Sequence, residues 1–155
     1  MDATFHVDGA VFNYRVAGVL IENDHVLIHK QVNDKYWALP GGRVEVLEDS
    51  HTSIQREMKE ELGVSVKVNR LLWITENFFE YNDKNFHEIG LYYLISSNED
   101  VDYVSNSDFY GSEGERLIYR WVPIKELAGI PLRPEFLKAG LNDMPIGPQH
   151  LIVGK

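Results

Sequence analysis

The chain has 155 residues, a net charge of −9, 44% hydrophobic and 25% charged residues, and no cysteine. That length predicts one domain, residues 1–155, with a real core. The missing cysteine excludes disulfides and thiolate metal sites, and the acidic balance argues against broad nucleic-acid or membrane-surface binding.

The first residues, Met1-Asp2-Ala3-Thr4-Phe5-His6, lack the basic and apolar regions of a secretory signal. No apolar run approaches the length of a membrane span, so a cytoplasmic location is the expectation. Residues 5–13 are ambiguous between strand and loop. Arg15 to Glu22 is a near-continuous apolar run, the pattern of a strand covered on both faces. Asn23-Asp24 predicts a tight turn, and His25 to Gln31 a second strand. Trp37 and Leu39 are read as core, and Pro40-Gly41-Gly42 as a rigid loop with a close backbone approach.

From Asp49 the composition turns helical, with Asp49 or Ser50 as the cap. Ile54, Met58 and Leu62 recur every fourth residue and form one apolar stripe. Glu57, Glu60 and Glu61 fall on a neighbouring stripe, and Gly63 ends the helix. Like charges one turn apart oppose helix formation. Arg56 only borders Glu60 in this projection, so a divalent cation is the natural counter-charge. Carboxylates without His or Cys suit a hard ion, Mg2+ or Mn2+. A solvated acidic face is the alternative reading of the helix alone.

Beyond the helix, Val64 to Phe79 predicts a long strand or a bent pair. Residues 82–85 are a turn, and Phe86 to Ser96 a strand with Ile89, Leu91, Tyr93 and Ile95 on one face and Glu88, Gly90, Tyr92 and Leu94 on the other. Residues 97–115 are polar and read as a long, functional loop. Leu117 to Val122 is a last strand, Pro123 opens a short helix, and Pro134 to Leu141 suggests another. The tail from Asn142 carries little pattern. The six histidines show no metal-ligand spacing and are read as surface or satisfied core residues.

Gly42, five residues, Glu48, seven residues, then Arg56-Glu57-Met58-Lys59-Glu60-Glu61-Leu62-Gly63-Val64 resembles the box of the Nudix hydrolases, of MutT-like type. That pattern is G-x5-E-x7-R-E-U-x-E-E-x-G-U, and every fixed position is met, with Met58 and Val64 as the bulky aliphatics. The resemblance implies an α/β fold, a mixed β-sheet sandwiched between helices, with the box as loop–helix–loop. It implies hydrolysis of a nucleoside diphosphate linked to another moiety, by water attack at phosphorus with a divalent metal. Carried over by position, Glu57 and Glu61 are metal ligands and Glu60 a further one, with the carbonyl at Gly42 joining the shell. Arg56 orients the carboxylates, and Glu48 partners it.

A general base is expected either within the box, with Glu60 as candidate, or outside it at Glu88, Asp102, Glu113 or Glu115. Arg43 could reach a substrate phosphate. Tyr81, and the aromatics about the 78–86 turn and the 97–115 segment, Tyr110 among them, could stack on a base. The same segments read alternatively as a hairpin end and a homodimer contact. No Pro occurs from Val64 to Val122, which counts against the ADP-ribose type. A Nudix-fold module that binds a nucleotide without turning it over is the alternative function.

Overall fold

The computed structural model describes residues 1–99, 101 and 105–155. Nine strands form one mixed sheet: β1 (Thr4–Val7), β2 (Ala10–Glu22), β3 (His25–Gln31), β4 (Gly41–Arg43), β5 (Val66–Tyr81), β6 (Lys84–Ser97), β7 (Phe109–Gly111), β8 (Gly114–Pro123) and β9 (Gln149–Val153). Edge to edge the order is β7-β8-β3-β2-β6-β5-β9, and β1 and β4 lie along β2. The pairs β2–β6 and β5–β9 are parallel and the others antiparallel.

Local chemistry explains the hairpins. Asp8-Gly9, Asn23-Asp24 and Asn82-Asp83 all have positive φ at both turn residues. This backbone matches the right-handed twist of the flanking strands, and Asn, Asp and Gly tolerate it best. The first of these turns joins β1 to β2, so the ambiguous residues 5–13 belong to two strands. The expected loop 97–115 ends in β7 and the start of β8, and the patternless tail holds β9. Edge pairing created both short strands, and their own periodicity is too brief to announce them.

Helix α1 (Ser50–Leu62) covers one face of the sheet, and α2 (Leu137–Asn142) with a 3-10 helix (Ile124–Gly129) covers the other. On the α1 side Ile54 and Met58 are fully buried against Val16, Leu20, Tyr93 and Ile95. Truncating such a side chain to Ala costs roughly 2–5 kcal/mol. On the opposite side Trp73 and Tyr92 pack on Phe136, Leu137 and Leu141, with Trp37 and Leu39 in the same core. The expected division of β6 therefore holds: Tyr93 and Ile95 face α1, and Tyr92 and Leu94 face away. Among the described residues no helix is long and apolar enough to cross a membrane.

Candidate active site

The box wraps the N-terminal end of α1. Asp49 is the N-cap, its Oδ1 accepting from the Thr52 N–H at 2.9 Å. Gly63 closes the helix at φ 72°, donating its N–H to the Lys59 carbonyl. Gly41 and Gly42, on β4, pair with Ala17 and Val16 of β2. They bring bare backbone against the helix face that carries Glu57 and Glu61. A Cβ at Gly42 would displace the Glu57 carboxyl group, and at Gly41, with φ 157°, it would collide with the Val16 carbonyl, so glycine is required there by the close approach.

The three helix carboxylates meet different surroundings. Glu61 is 2% exposed, Glu57 is partly buried and Glu60 is exposed. Glu61 Oε2 accepts the Gly41 N–H at 3.1 Å, and Oε1 accepts the Tyr119 hydroxyl at 2.9 Å. Burial, and then the charge of Glu61, keep that hydroxyl protonated far above the usual phenol range. His29 Nδ1 lies 2.9 Å from the same Oε1, off the line of an aligned N–H···O bond, and is buried without another partner. Glu57 is pushed up to about 7, first by burial and then by the negative charge of Glu61, with Arg56 opposing.

Arg56 ties the loop to the helix. Its Nε and Nη2 donate to Glu48 Oε2 and Oε1 at 2.7 and 2.9 Å, a bidentate pair. Hydrogen bonds from Arg56 hold Glu48 down at about 2, despite its burial. Nη1 donates to Glu57 Oε1 at 3.1 Å and to Glu60 Oε2 at 3.2 Å. Nη2 also reaches the Arg43 carbonyl at 3.2 Å. The helical projection that had Arg56 bordering only Glu60 is therefore corrected. The guanidinium bends back between Glu57 and Glu60, so the protein supplies one counter-charge itself. Glu48, Glu57, Glu60 and Glu61 against Arg56 still leave the cluster strongly negative.

Among the described residues no three His, Asp or Glu side chains close into a finished metal shell. The donor chemistry nevertheless fits a hard divalent ion. All donors are carboxylate oxygens, one acid is buried with a half-buried one beside it, and the latter resists ionisation. Magnesium keeps several waters and takes one or two carboxylates plus substrate oxygens, so it needs no closed protein cage.

The other expected residues are dispersed. Glu88 lies on the Tyr92 face of β6, away from α1, and its Oε2 accepts the Asn13 amide at 2.8 Å. It therefore does not face the helix, the condition for its being the base. Glu113 and Glu115 are exposed on the β7–β8 hairpin, Glu113 beside Arg116. Asp102 lies outside the described residues. The Arg43 side chain is 3.8 Å from Asp2. Tyr81 pairs with Lys84 at the hairpin end, seven strand positions from the Gly42 row at Leu91, or about 23 Å along the strand. Tyr110 is half-exposed on β7, next to Gly111, which touches the Glu61 carbonyl. His29 and Tyr119 were missed. Their only sequence signal is alternation: His29 is two residues from inward-facing Leu27, and Tyr119 lies between Leu117 and Trp121.

A mixed sheet between helices, with a glutamate-rich loop–helix–loop packed on paired glycines, defines a Nudix fold with a hydrolase-type box. The NUDIX domain family matches residues 13–140, and the chain belongs to the Nudix family, hydrolases of pyrophosphate bonds that generally use divalent metals. A MutT-like protein of Streptomyces ambofaciens is 36% identical over 63 residues, 40% of this chain and 41% of that relative. The chain thus spans about two fifths of that protein. An 8-oxo-dGTP diphosphatase of Buchnera aphidicola is 26% identical over 116 residues, 72% of this chain and 78% of that one. The solved structure of a mutator MutT protein from Bacillus halodurans superposes with a TM-score of 0.62, at 17% identity and 90% coverage of both chains. That likeness concerns the fold.

Proposed function

We propose that residues 1–155 form one Nudix domain that hydrolyses a nucleoside diphosphate linked to another moiety, by water attack at phosphorus. Glu57 and Glu61 would hold a magnesium or manganese ion, with Glu60 as a further ligand and the Gly42 backbone beside them. When bound, that ion supplies charge neutralisation at phosphoryl oxygens and acidifies a bound water. The observation that carries the reading is the pairing of buried Glu61 with half-buried Glu57, packed against the Gly41-Gly42 backbone, where a Cβ at Gly41 would strike the Val16 carbonyl. Burying two like charges is costly without a counter-ion, and a hydrolase of phosphoanhydrides has a use for one.

The remaining residues act by position. Arg56, gripped by Glu48, holds the box loop against α1 and steers Glu57 and Glu60. Phosphoryl transfer needs mainly such alignment and electrostatic support. Arg43 is half-exposed at the rim, where it can exchange Asp2 for a substrate phosphate. The 8-oxo-dGTP diphosphatase among the relatives supports a nucleoside triphosphate as one substrate class, and the acidic surface calls for a small ligand rather than a polymer.

The test is a screen of nucleoside triphosphates, oxidised ones included, dinucleoside polyphosphates and sugar nucleotides. Each is assayed with and without magnesium, scoring phosphate released by a coupled phosphatase. Metal-dependent turnover of at least one class is expected. Tight binding with no turnover of any would instead support a silent nucleotide-binding module.

A further inference from the structure

We propose that His29 and Tyr119 are positioning residues for Glu61, fixing its carboxylate so that Oε2 alone is presented to a cation. The proposal rests on the metal-binding reading above. An ionised carboxylate has about four lone-pair directions, two on each oxygen. The Tyr119 hydroxyl donates into Oε1 at 2.9 Å, and His29 Nδ1 stands 2.9 Å from the same atom. The Gly41 N–H takes one direction of Oε2 at 3.1 Å. His29 makes no aligned bond but its ring covers the rest of Oε1, so the direction left open to a cation is the second one on Oε2.

The backbone of Glu61 is held as firmly as its side chain. The Ser112 N–H donates to the Glu61 carbonyl at 2.6 Å, and at Gly111 a Cβ would collide with that carbonyl and crowd the Tyr119 ring. The β7–β8 hairpin thus supplies the clamp twice, through Ser112 on the main chain and through Tyr119 on the carboxylate. β3 supplies His29, and the segment before α1 supplies Gly41. None of these positions except Glu61 itself lies in the box. Glu60, one residue earlier, is exposed and accepts hydrogen bonds from Arg56.

A simple packing role predicts something different. Phe109 stacks on the Tyr119 ring, centroids 5.6 Å apart, and a phenyl ring would preserve that packing. Removing the hydroxyl alone therefore separates anchoring of the carboxylate from filling of the core. A pre-oriented ligand loses little rotamer freedom when an ion binds, and outer contacts of this kind typically set metal affinity by about 10–100-fold.

The experiment titrates Mn2+ alone into wild type, Tyr119→Phe, His29→Phe, His29→Asn and Glu61→Gln, reading free Mn2+ by electron paramagnetic resonance. Expected is a Kd raised about tenfold in Tyr119→Phe and His29→Phe, with the apo melting temperature of Tyr119→Phe within a few degrees of wild type. His29→Asn, whose amide nitrogen overlays Nδ1, should recover most of the affinity. On the best substrate, Tyr119→Phe should lower kcat while KM stays within twofold. Wild-type Mn2+ affinity in both phenylalanine variants, with binding lost in Glu61→Gln, overturns the positioning roles and leaves the metal reading intact. Wild type that binds no Mn2+ overturns both.

Discussion

Glu88 and Glu61 are buried acids on opposite faces of one sheet, the second with half-buried Glu57 beside it, and they are solved differently. Glu88 accepts the Asn13 amide at 2.8 Å, and Asn13 Oδ1 in turn accepts the Thr4 hydroxyl at 2.9 Å. Neutral dipoles serve that carboxylate where it stands. Glu57 and Glu61 have donors as well, Arg56 on the first and the Gly41 N–H and Tyr119 hydroxyl on the second, but each also faces the other's charge. Burial, and then the Glu61 charge, push Glu57 up to about 7 even with Arg56 opposing, so a proton or a further cation settles its charge. A single buried acid served by a neutral dipole is architecture; a buried acid with a second, half-buried one beside it forms a site with an open electrostatic demand.

The largest effect should come from removing that demand. Glu57→Gln or Glu61→Gln is expected to lower kcat by about a thousandfold or more, roughly 4 kcal/mol of transition-state stabilisation. Glu88→Gln keeps a polar group for Asn13 and should cost less than about tenfold. Steady-state kinetics on the three variants checks this. Equal losses in Glu88→Gln and Glu57→Gln would erase the distinction between the two faces.

Magnesium should act on one face only. At a hundred times its Kd it should stabilise the folded state by about 2.7 kcal/mol, a rise of roughly 5–10 °C in melting temperature. EDTA should reverse the rise, and Glu57→Gln should abolish it, while Glu88→Gln retains it. The apo protein should still fold, because Ile54 and Met58 are buried whether or not metal is bound. An apo circular dichroism spectrum without secondary structure would contradict this.

A smaller effect lies in the pH dependence of the metal-free protein. Glu57 has a folded pKa raised from 4.5 to about 7. Its contribution is therefore fully present below pH 4.5 and lost as pH rises through about 7. Relative to Glu57→Gln, the wild type should lose roughly 1–2 kcal/mol across that window, allowing for solvent screening. Glu48 works in the opposite sense and lower down: held at about 2, its contribution is present at neutral pH and disappears as pH falls from 4.5 towards 2. Melting curves in EDTA at pH 4.5, 6 and 8 decide the matter. Parallel wild-type and Glu57→Gln profiles would show that Glu57 is not under electrostatic strain.

The smallest expected effects belong to the aromatic rim. Tyr110→Ala should raise KM a few-fold with kcat nearly unchanged, since stacking on a remote group is mostly uniform binding. Tyr81→Ala, far along the hairpin, should change KM less. Kinetics on the best substrate of the screen compares them, and unchanged KM in both removes these tyrosines from the substrate site.

The sequence by itself determined the helix, its cap at Asp49, its left-handed end at Gly63, the buried stripe of Ile54 and Met58, and the alternation of β6. These depend on neighbours within one or two turns or strand steps, which periodicity records. The box residues were legible for the same reason, being fixed spacings along one short segment. Tertiary structure alone decided that Glu57, Glu60 and Glu61, equivalent on a helical wheel, would become respectively strained, exposed and clamped. It also chose His29, Tyr119 and Gly41 as the partners of Glu61, and turned Glu88 away from α1. Those outcomes come from sheet order, in which β3, β8 and the β7–β8 turn converge on a helix far from them in the chain. β9 was hidden for the same physical reason. A five-residue edge strand is stabilised by its parallel pairing to β5, and pairing partners 76 residues apart (Trp73 with Gln149) leave no local pattern to read.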